Sequence, residues 1–291
     1  MTIGAGGTVD SGPVGSRHGR SAISLHDALA LVTGAGSGIG RATALALAAR
    51  GARLLAVDVD EASAKQTAAD CGGEAFAVDV ADATAVEALA AAVEAAHGPL
   101  DVLVNNAGVG MSGRFLDTTL GDWDWNWILG VNLLGVVHGC LAFGPRMVAR
   151  GGGHVVNVSS ALGYTPRASE PAYVTTKAAV LSLSRCLRAD WARRGVGVSV
   201  VCPGVIATPI IEHTRFRGAQ ARPENVARLR RAFARRGHPP AAVARAVIDA
   251  AARNRAVVPV GPEAWAGWFR RGLVPTRLED RLAVLGAMTD A

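Results

Sequence analysis

Along the chain, short apolar runs alternate with longer Ala-rich stretches of helical spacing. The runs at 28–33, 53–57, 74–78, 100–104, 154–158 and 197–201 predict strands, and 257–260 a seventh. Residues 39–50, a segment from 61, and residues 84–97, 123–147 and 172–193 predict helices. Gly51 is a natural stop for the first of these. The strands are continuously apolar, the pattern of strands covered on both faces. Repeated strand–helix alternation predicts an α/β fold: a Rossmann-like, doubly wound parallel sheet of about seven strands with helices on both faces. Ligands of such sheets bind beyond the carboxyl ends of the strands, near the point where strand order reverses. The polar residues that follow each strand are therefore the ones to read for chemistry.

One domain is expected over 26–262. Residues 1–25 are Gly- and Ser-rich without the apolar core of a signal peptide, and read as a flexible leader. Residues 263–291 read as a tail packed on the domain or on a partner subunit. The longest apolar stretch, 128–144, is interrupted by Asn132 and His138, so no integral membrane segment is expected.

Half of the 291 residues are hydrophobic, enough for a sizeable core and unlike a disordered chain. The net charge is +6, yet no basic run interleaved with aromatics appears, and nucleic acid is not an expected partner. Only Lys65 and Lys177 are lysines among 30 basic residues. A lysine retained in so arginine-rich a chain draws attention, because its pKa can be shifted and that of arginine cannot. Cys71, Cys140, Cys186 and Cys202 form no CxxC pair and sit among apolar residues. They read as buried reduced thiols in a cytoplasmic protein, with no metal site.

The first strand runs into Thr33-Gly34-Ala35-Gly36-Ser37-Gly38-Ile39-Gly40, which opens a helix. Glycines let a backbone approach a pyrophosphate, and a helix N-terminus favours its charge. Asp58 ends the second strand, eighteen residues beyond Gly40. An acid there accepts from a ribose 2′-hydroxyl and repels a 2′-phosphate, which favours NAD over NADP. The bland alternative is that Asp58 or Asp60 starts the next helix. Asp79 meets the adenine or, again, starts a helix. Asn105-Asn106-Ala107-Gly108 ties a loop and lines the cofactor cleft, or is a plain turn.

Tyr173-Val174-Thr175-Thr176-Lys177 opens a helical stretch. Positions i and i+4 share a face, so the phenol and the ammonium are neighbours. A cation beside a phenol is expected to lower the phenol pKa from ~10, giving an acid/base usable near neutral pH. The other tyrosine, Tyr164, has no such lysine. Ser159-Ser160 after the fifth strand offers a hydroxyl to a carbonyl oxygen, or a helix cap. Asn132 lies mid-helix, where asparagine needs a local polar role; His138 reads as a satisfied core or interface histidine. Pro203-Gly204 breaks the chain after the sixth strand, and Thr208 is placed to bond a nicotinamide carboxamide.

TGAGSGIG, NNAG, the Asn132 position, SSALG, YVTTK and PGVIAT occur in this order. With them the chain resembles the short-chain dehydrogenase/reductase family, over about 28–260. The resemblance implies an NAD-dependent oxidoreductase moving hydride between cofactor and a secondary alcohol or ketone. It implies Tyr173 as general acid/base, with Lys177 on the nicotinamide ribose and lowering the Tyr173 pKa. Ser160 would hold the substrate oxygen, and Asn132 a water in a proton relay to Lys177. Asp58 would hold the adenine ribose, with Asp79 and Val80 beside the adenine. Gly34, Ser37, Gly38, Ile39, Asn106, Gly108, Pro203, Gly204, Val205 and Thr208 would complete the cofactor cleft. The family's homodimers and homotetramers are built on the two long helices, here 123–147 and 172–193. A departure is Thr175-Thr176 between Tyr and Lys, where smaller residues are common.

Residues 210–236 occupy the family's substrate-covering lid and hold eight arginines. They read as an anion-recognising lid or a solvated helix face. Met111, Leu162, Tyr164 and Ile211 suggest a bulky alicyclic, terpenoid, polyketide or acyl-type substrate. Trp123, Trp125 and Trp127 read as packing or assembly residues. Trp265, Trp268 and Phe269 in the tail read as packing, or as a contact with membrane, subunit or substrate mouth. A non-redox dehydratase or epimerase using Tyr173 for proton transfer, and a silent NAD-binding scaffold, remain open alternatives.

Overall fold

The computed structural model describes residues 23–120, 123–271 and 273–275. Most of the expected leader, and the tail beyond 275, lie outside these residues. The main sheet contains β1 (Leu29–Thr33), β2 (Arg53–Asp58), β3 (Glu74–Ala77), β4 (Val102–Asn105), β6 (Gly153–Val158), β7 (Val196–Pro203) and β9 (Val257–Val260). Every pairing is parallel, in the order β3-β2-β1-β4-β6-β7-β9. The chain reverses direction across the sheet between β1 and β4, the switch point the alternating pattern predicts.

The helices are α1 (Gly38–Ala48), α2 (Glu61–Cys71), α3 (Ala83–His97), α4 (Trp125–Leu129), α5 (Gly135–Arg150), α6 (Pro171–Trp191), α7 (Pro223–Arg236), α8 (Pro240–Ala252) and α9 (Pro262–Arg270). Strand residues point alternately to two cores. Ala30 and Val32 join Ala44, Leu47, Val243 and Val247 on the α1–α8 face. Leu29 and Leu31 join Val86, Phe143, Met147 and Val180 on the other. Asp60 caps α2 and Asp82 caps α3, so the acids that start these helices are not Asp58 and Asp79.

The expected helix at 123–147 is one continuous helical stretch from Trp125 to Arg150, interrupted by a π turn at Gly130–Leu134 that contains Asn132. By length and composition alone this stretch could cross a bilayer, an 18-residue window of it having a mean hydropathy of 1.7. Half of that window is buried inside the domain, with Val136, Cys140, Phe143 and Met147 in the core, as in the core helix of a globular fold. His138 is satisfied as expected, its Nδ1 2.9 Å from the Val80 carbonyl.

Three features differ from the sequence reading. Cys140 and Cys202 are buried, but Cys71 is half-buried and the turn of α6 carries Cys186 to the surface. Periodicity does not reveal two short strands, one of them in the lid. β8 (Thr214–Phe216) pairs in parallel with β5 (Gly110–Ser112), and each is only three residues long, too short for a period to register. Tyr164 does not face the substrate side. Its hydroxyl donates to the Ala264 carbonyl at 2.7 Å and its ring meets Trp268 edge-on, which fastens α9 to the domain.

Candidate active site

A cavity of about 670 Å³ opens at the carboxyl ends of the strands. Every residue expected at the cofactor lines it, from Gly34, Ser37, Gly38 and Ile39, through Asp58, Asp79, Val80, Asn106 and Gly108, to Pro203, Gly204, Val205 and Thr208. Ser160, Tyr173 and Lys177 line it too. Asn132 does not; it is wholly buried behind the wall.

At one end, the turn after β1 has no room for side chains. A β-carbon at Gly34 would stand 2.9 Å from Cα of Ala107, and Gly34 has φ +63°. One at Gly40 would collide with the Gly34 carbonyl oxygen. Asn106 ties this turn to the strand beside it, its Nδ2 donating to the carbonyl of Thr33 at 2.9 Å. Thr33 Oγ1 in turn accepts from the amides of Asn106 and Ala107 at 3.0 and 3.1 Å. Ser37, the N-cap of α1, makes no side-chain cap bond, and the first turn holds no acid. The helix thus presents a positive end and orphan N–H groups to the cavity, which fits a pyrophosphate. Asp58 Oδ2 accepts from Gly36 N at 2.8 Å and Oδ1 from Asp60 N at 3.1 Å. Those bonds hold its carboxylate beside the turn, where a ribose edge would fall. Asp79 Oδ1 accepts from Ala81 N and stays exposed at the rim. The glycine-floored turn, the uncapped start of α1 and the Asp58 carboxylate fit a dinucleotide.

At the other end, α6 begins with Pro171 in its first turn, which is pre-organised for a helix start. Tyr173 follows half-buried on the cavity wall. One turn on, Lys177 is buried, with Nζ 5.7 Å from the Tyr173 ring centroid and donating to the Val158 carbonyl at 3.2 Å. Ser159 Oγ donates to the Lys177 carbonyl at 2.7 Å, which pins the strand end to the helix. Ser160 forms a side-chain hydrogen bond with Tyr173 and also accepts from Leu162 N at 3.2 Å. Ser160 thus caps the turn that follows it and lines the cavity as well. Asn132 Oδ1 accepts from Val109 N at 2.8 Å, and Nδ2 donates to Val109 O at 3.0 Å and Thr176 Oγ1 at 3.3 Å. A β-carbon on Gly108 would stand 3.3 Å from both Asn132 Oδ1 and Lys177 Nζ, so a side chain there would crowd both groups.

The electrostatics of this end differ from the sequence reading. Burial pushes the Tyr173 hydroxyl up to about 12; the Ser160 hydrogen bond opposes the rise and the Glu170 charge adds to it. Burial also pushes Lys177 down to about 8. The expected lowering of the phenol by its neighbouring cation is outweighed, because the same enclosure that joins the two groups strips water from both.

The sequence model of the short chain dehydrogenase family matches residues 28–217. The chain belongs to this family. It is 47% identical over 271 residues to a Mycobacterium tuberculosis protein named "Probable oxidoreductase EphD", covering 89% of this chain and 45% of that one. It thus spans less than half the length of that relative. To the D-threitol dehydrogenase of Mycolicibacterium smegmatis it is 42% identical over 191 residues, 64% of this chain and 73% of the relative. The crystal structure of a Burkholderia phymatum short-chain dehydrogenase/reductase in complex with NAD superposes with a TM-score of 0.74 at 33% identity, covering 84% of this chain and 92% of that one. The fold is thereby a single-domain, Rossmann-like one, of a family of oxidoreductases to which the two named relatives belong.

In this short-chain dehydrogenase several cavity residues lie outside the motifs. Glu263 at the start of α9 accepts from Val205 N through Oε1 at 2.7 Å, and its Oε2 is 3.6 Å from His238 Nε2. The Pro203–Val205 turn is therefore braced by the tail. Leu229 and Phe233 of α7 form apolar wall with Met111, Leu162 and Ile211. Trp127 lines the cavity and carries the Arg215 guanidinium 3.7 Å over its ring, so its role is not packing alone. Trp123 is exposed, and Trp125 bonds Thr118 through Nε1 at 3.0 Å. Among the described residues, no group of His, Cys, Asp or Glu is arranged to hold a metal ion.

Proposed function

We propose that this short-chain dehydrogenase is an NAD-dependent oxidoreductase that interconverts a secondary alcohol and a ketone, on a substrate with a bulky apolar body. The observation that carries the reading is one continuous cavity with an acid-rimmed, glycine-floored end and a Ser160–Tyr173–Lys177 end. The relative crystallised with NAD supports the cofactor class. NAD, when bound, accepts or supplies the hydride.

The chain's own residues do the rest. In oxidation, Tyr173 takes the hydroxyl proton at its phenolic oxygen; in reduction it returns a proton to the carbonyl oxygen. Ser160 donates a hydrogen bond to that oxygen and stabilises charge as it develops. Lys177 contacts the nicotinamide ribose and, as ammonium, lowers the cost of the Tyr173 phenolate. Asn132 is a positioning residue, acting through Val109 and Thr176 on the floor that carries Lys177. Asp58 receives the adenine ribose hydroxyls and disfavours a 2′-phosphate. Leu134 and Leu141, exposed seven residues apart on the long helix, support assembly through that helix.

Deuterium-labelled NADH and a panel of alicyclic, steroid-like and acyl-type ketones test the reaction. Label appearing on the product carbon supports the reading. Product formed with no change in NADH and no label transfer would mean a dehydratase- or epimerase-type reaction instead.

A further inference from the structure

A second cavity, of about 780 Å³, lies against the first, between α7 and the loop that leads into α6. Ser112, Arg167, Glu170 and Leu229 line both, so the two cavities share a wall. Glu170, the N-cap of α6, stands three residues before Tyr173 in the chain. Glu170 thus belongs to both cavities, and Tyr173 lines the first.

Its lining is of a different kind. Leu229 and Phe233, at i and i+4 on α7, face the first cavity. The adjoining face turns Arg228, Arg231, Arg235 and Arg236 into the second. None of these four has a hydrogen bond or ion pair among the described residues. Arg230, on the far side, pairs with Glu212 at 2.8 Å. Opposite stands the acid Glu170, already engaged by Arg167 at 3.3 Å. Arg235 and Arg236 gain from the C-terminal dipole of α7, but Arg228 and Arg231 lie too far from that end to do so. Like charges at i, i+3 and i, i+4 destabilise a helix unless something neutralises them. Guanidinium forks gathered round a concavity are suited to a multivalent oxyanion, which they bind bidentately.

We propose that this cavity is the anion-binding end of the substrate site, taking a phosphate-bearing arm of a molecule whose carbonyl or carbinol carbon lies at Tyr173. The inference rests on the reading of Tyr173 as the reacting centre. The apolar wall of Leu229 and Phe233 then holds the body of the substrate, and α7 serves both parts from adjacent faces.

Pyrophosphate is the probe. It is titrated calorimetrically into the full chain, with and without saturating NADH, for wild type, for Arg231→Glu/Arg235→Glu, and for Arg193→Glu/Arg245→Glu, an equal charge change on exposed sites elsewhere. Because α7 holds no buried residue, the cavity pair is expected to fold, and Arg231→Gln/Arg235→Gln is the milder second variant. The expected result is pyrophosphate affinity weakened about tenfold or more in the cavity variants, little changed in the control pair, and NADH affinity unchanged in all. Equal pyrophosphate affinity in wild type and cavity variants overturns the inference, as does equal weakening by the control pair. Binding to phosphatidylserine vesicles that needs Arg231 and Arg235, without pyrophosphate binding, assigns the arginines to a membrane surface and also overturns it. Loss of NADH binding alone, with the pyrophosphate pattern intact, removes the cofactor reading and leaves the cavity standing.

Discussion

The amide of Val205 donates a 2.7 Å hydrogen bond to the Glu263 carboxylate, fifty-eight residues further along the chain. That bond makes the first turn of α9 part of the cleft. Glu263→Ala leaves the Val205 amide without its acceptor and frees the Pro203–Val205 turn. We expect NADH affinity to fall several-fold, with a stability loss of about 1 kcal/mol, since the site is partly open to water. Glu263→Gln keeps an acceptor and should restore most of the affinity. Identical NADH titrations for Ala and wild type would detach the tail from the site.

Tyr173→Phe removes the proton-transfer group and little else. Turnover should fall roughly a hundred- to ten-thousand-fold while NADH still binds. Near-normal turnover would take Tyr173 out of its role.

Asp58→Ala removes the carboxylate that receives the Gly36 amide and lines the cavity. The ratio of kcat/KM for NADP to that for NAD should rise about tenfold, or about 1.4 kcal/mol. If wild type already uses both cofactors equally, the Asp58 argument is wrong.

Lys177 predicts a pH dependence with a definite sign. Burial lowers it to about 8 in the folded chain, against 10.5 as its ordinary value. Between these, the unfolded chain holds the extra proton, so this group makes stability rise with pH. The relief amounts to about 2 kcal/mol between pH 8 and 10. Above pH 10 the raised Tyr173 acts the other way, because the unfolded phenol ionises first. Urea denaturation of wild type and Lys177→Met, without cofactor at pH 7 and pH 9.5, should therefore differ in slope, with the variant flatter. Parallel slopes would mean that Lys177 is not depressed.

Gly40→Ala places a methyl group against the Gly34 carbonyl. It should cost roughly 1–3 kcal/mol and weaken NADH binding together. Gly152→Ala, with nothing within 4 Å, is the control and should do neither.

Much of this was legible in the sequence. The parallel sheet follows from continuous apolar strands, and the Tyr173–Lys177 face from i, i+4 spacing. What escaped it depends on distant pairs. Glu263 reads as an ordinary first-turn acid until the fold brings Val205 beside it. Leu229 and Phe233 read as sparse apolar positions in a basic segment. Tyr164 was assigned to the substrate by proximity in sequence, whereas its loop turns the ring toward Trp268. Spacing predicts a lowered Tyr173 pKa and burial raises it, because spacing reveals a neighbour but not the water that both groups lose.

None of α7's residues is buried, and yet its Leu229 and Phe233 finish one cavity and its arginines another. The hydrophobic cores that flank the sheet take no residue from α7. Diversification can proceed on fourteen residues at little risk to the rest, which makes α7 the segment to randomise when a different substrate is wanted.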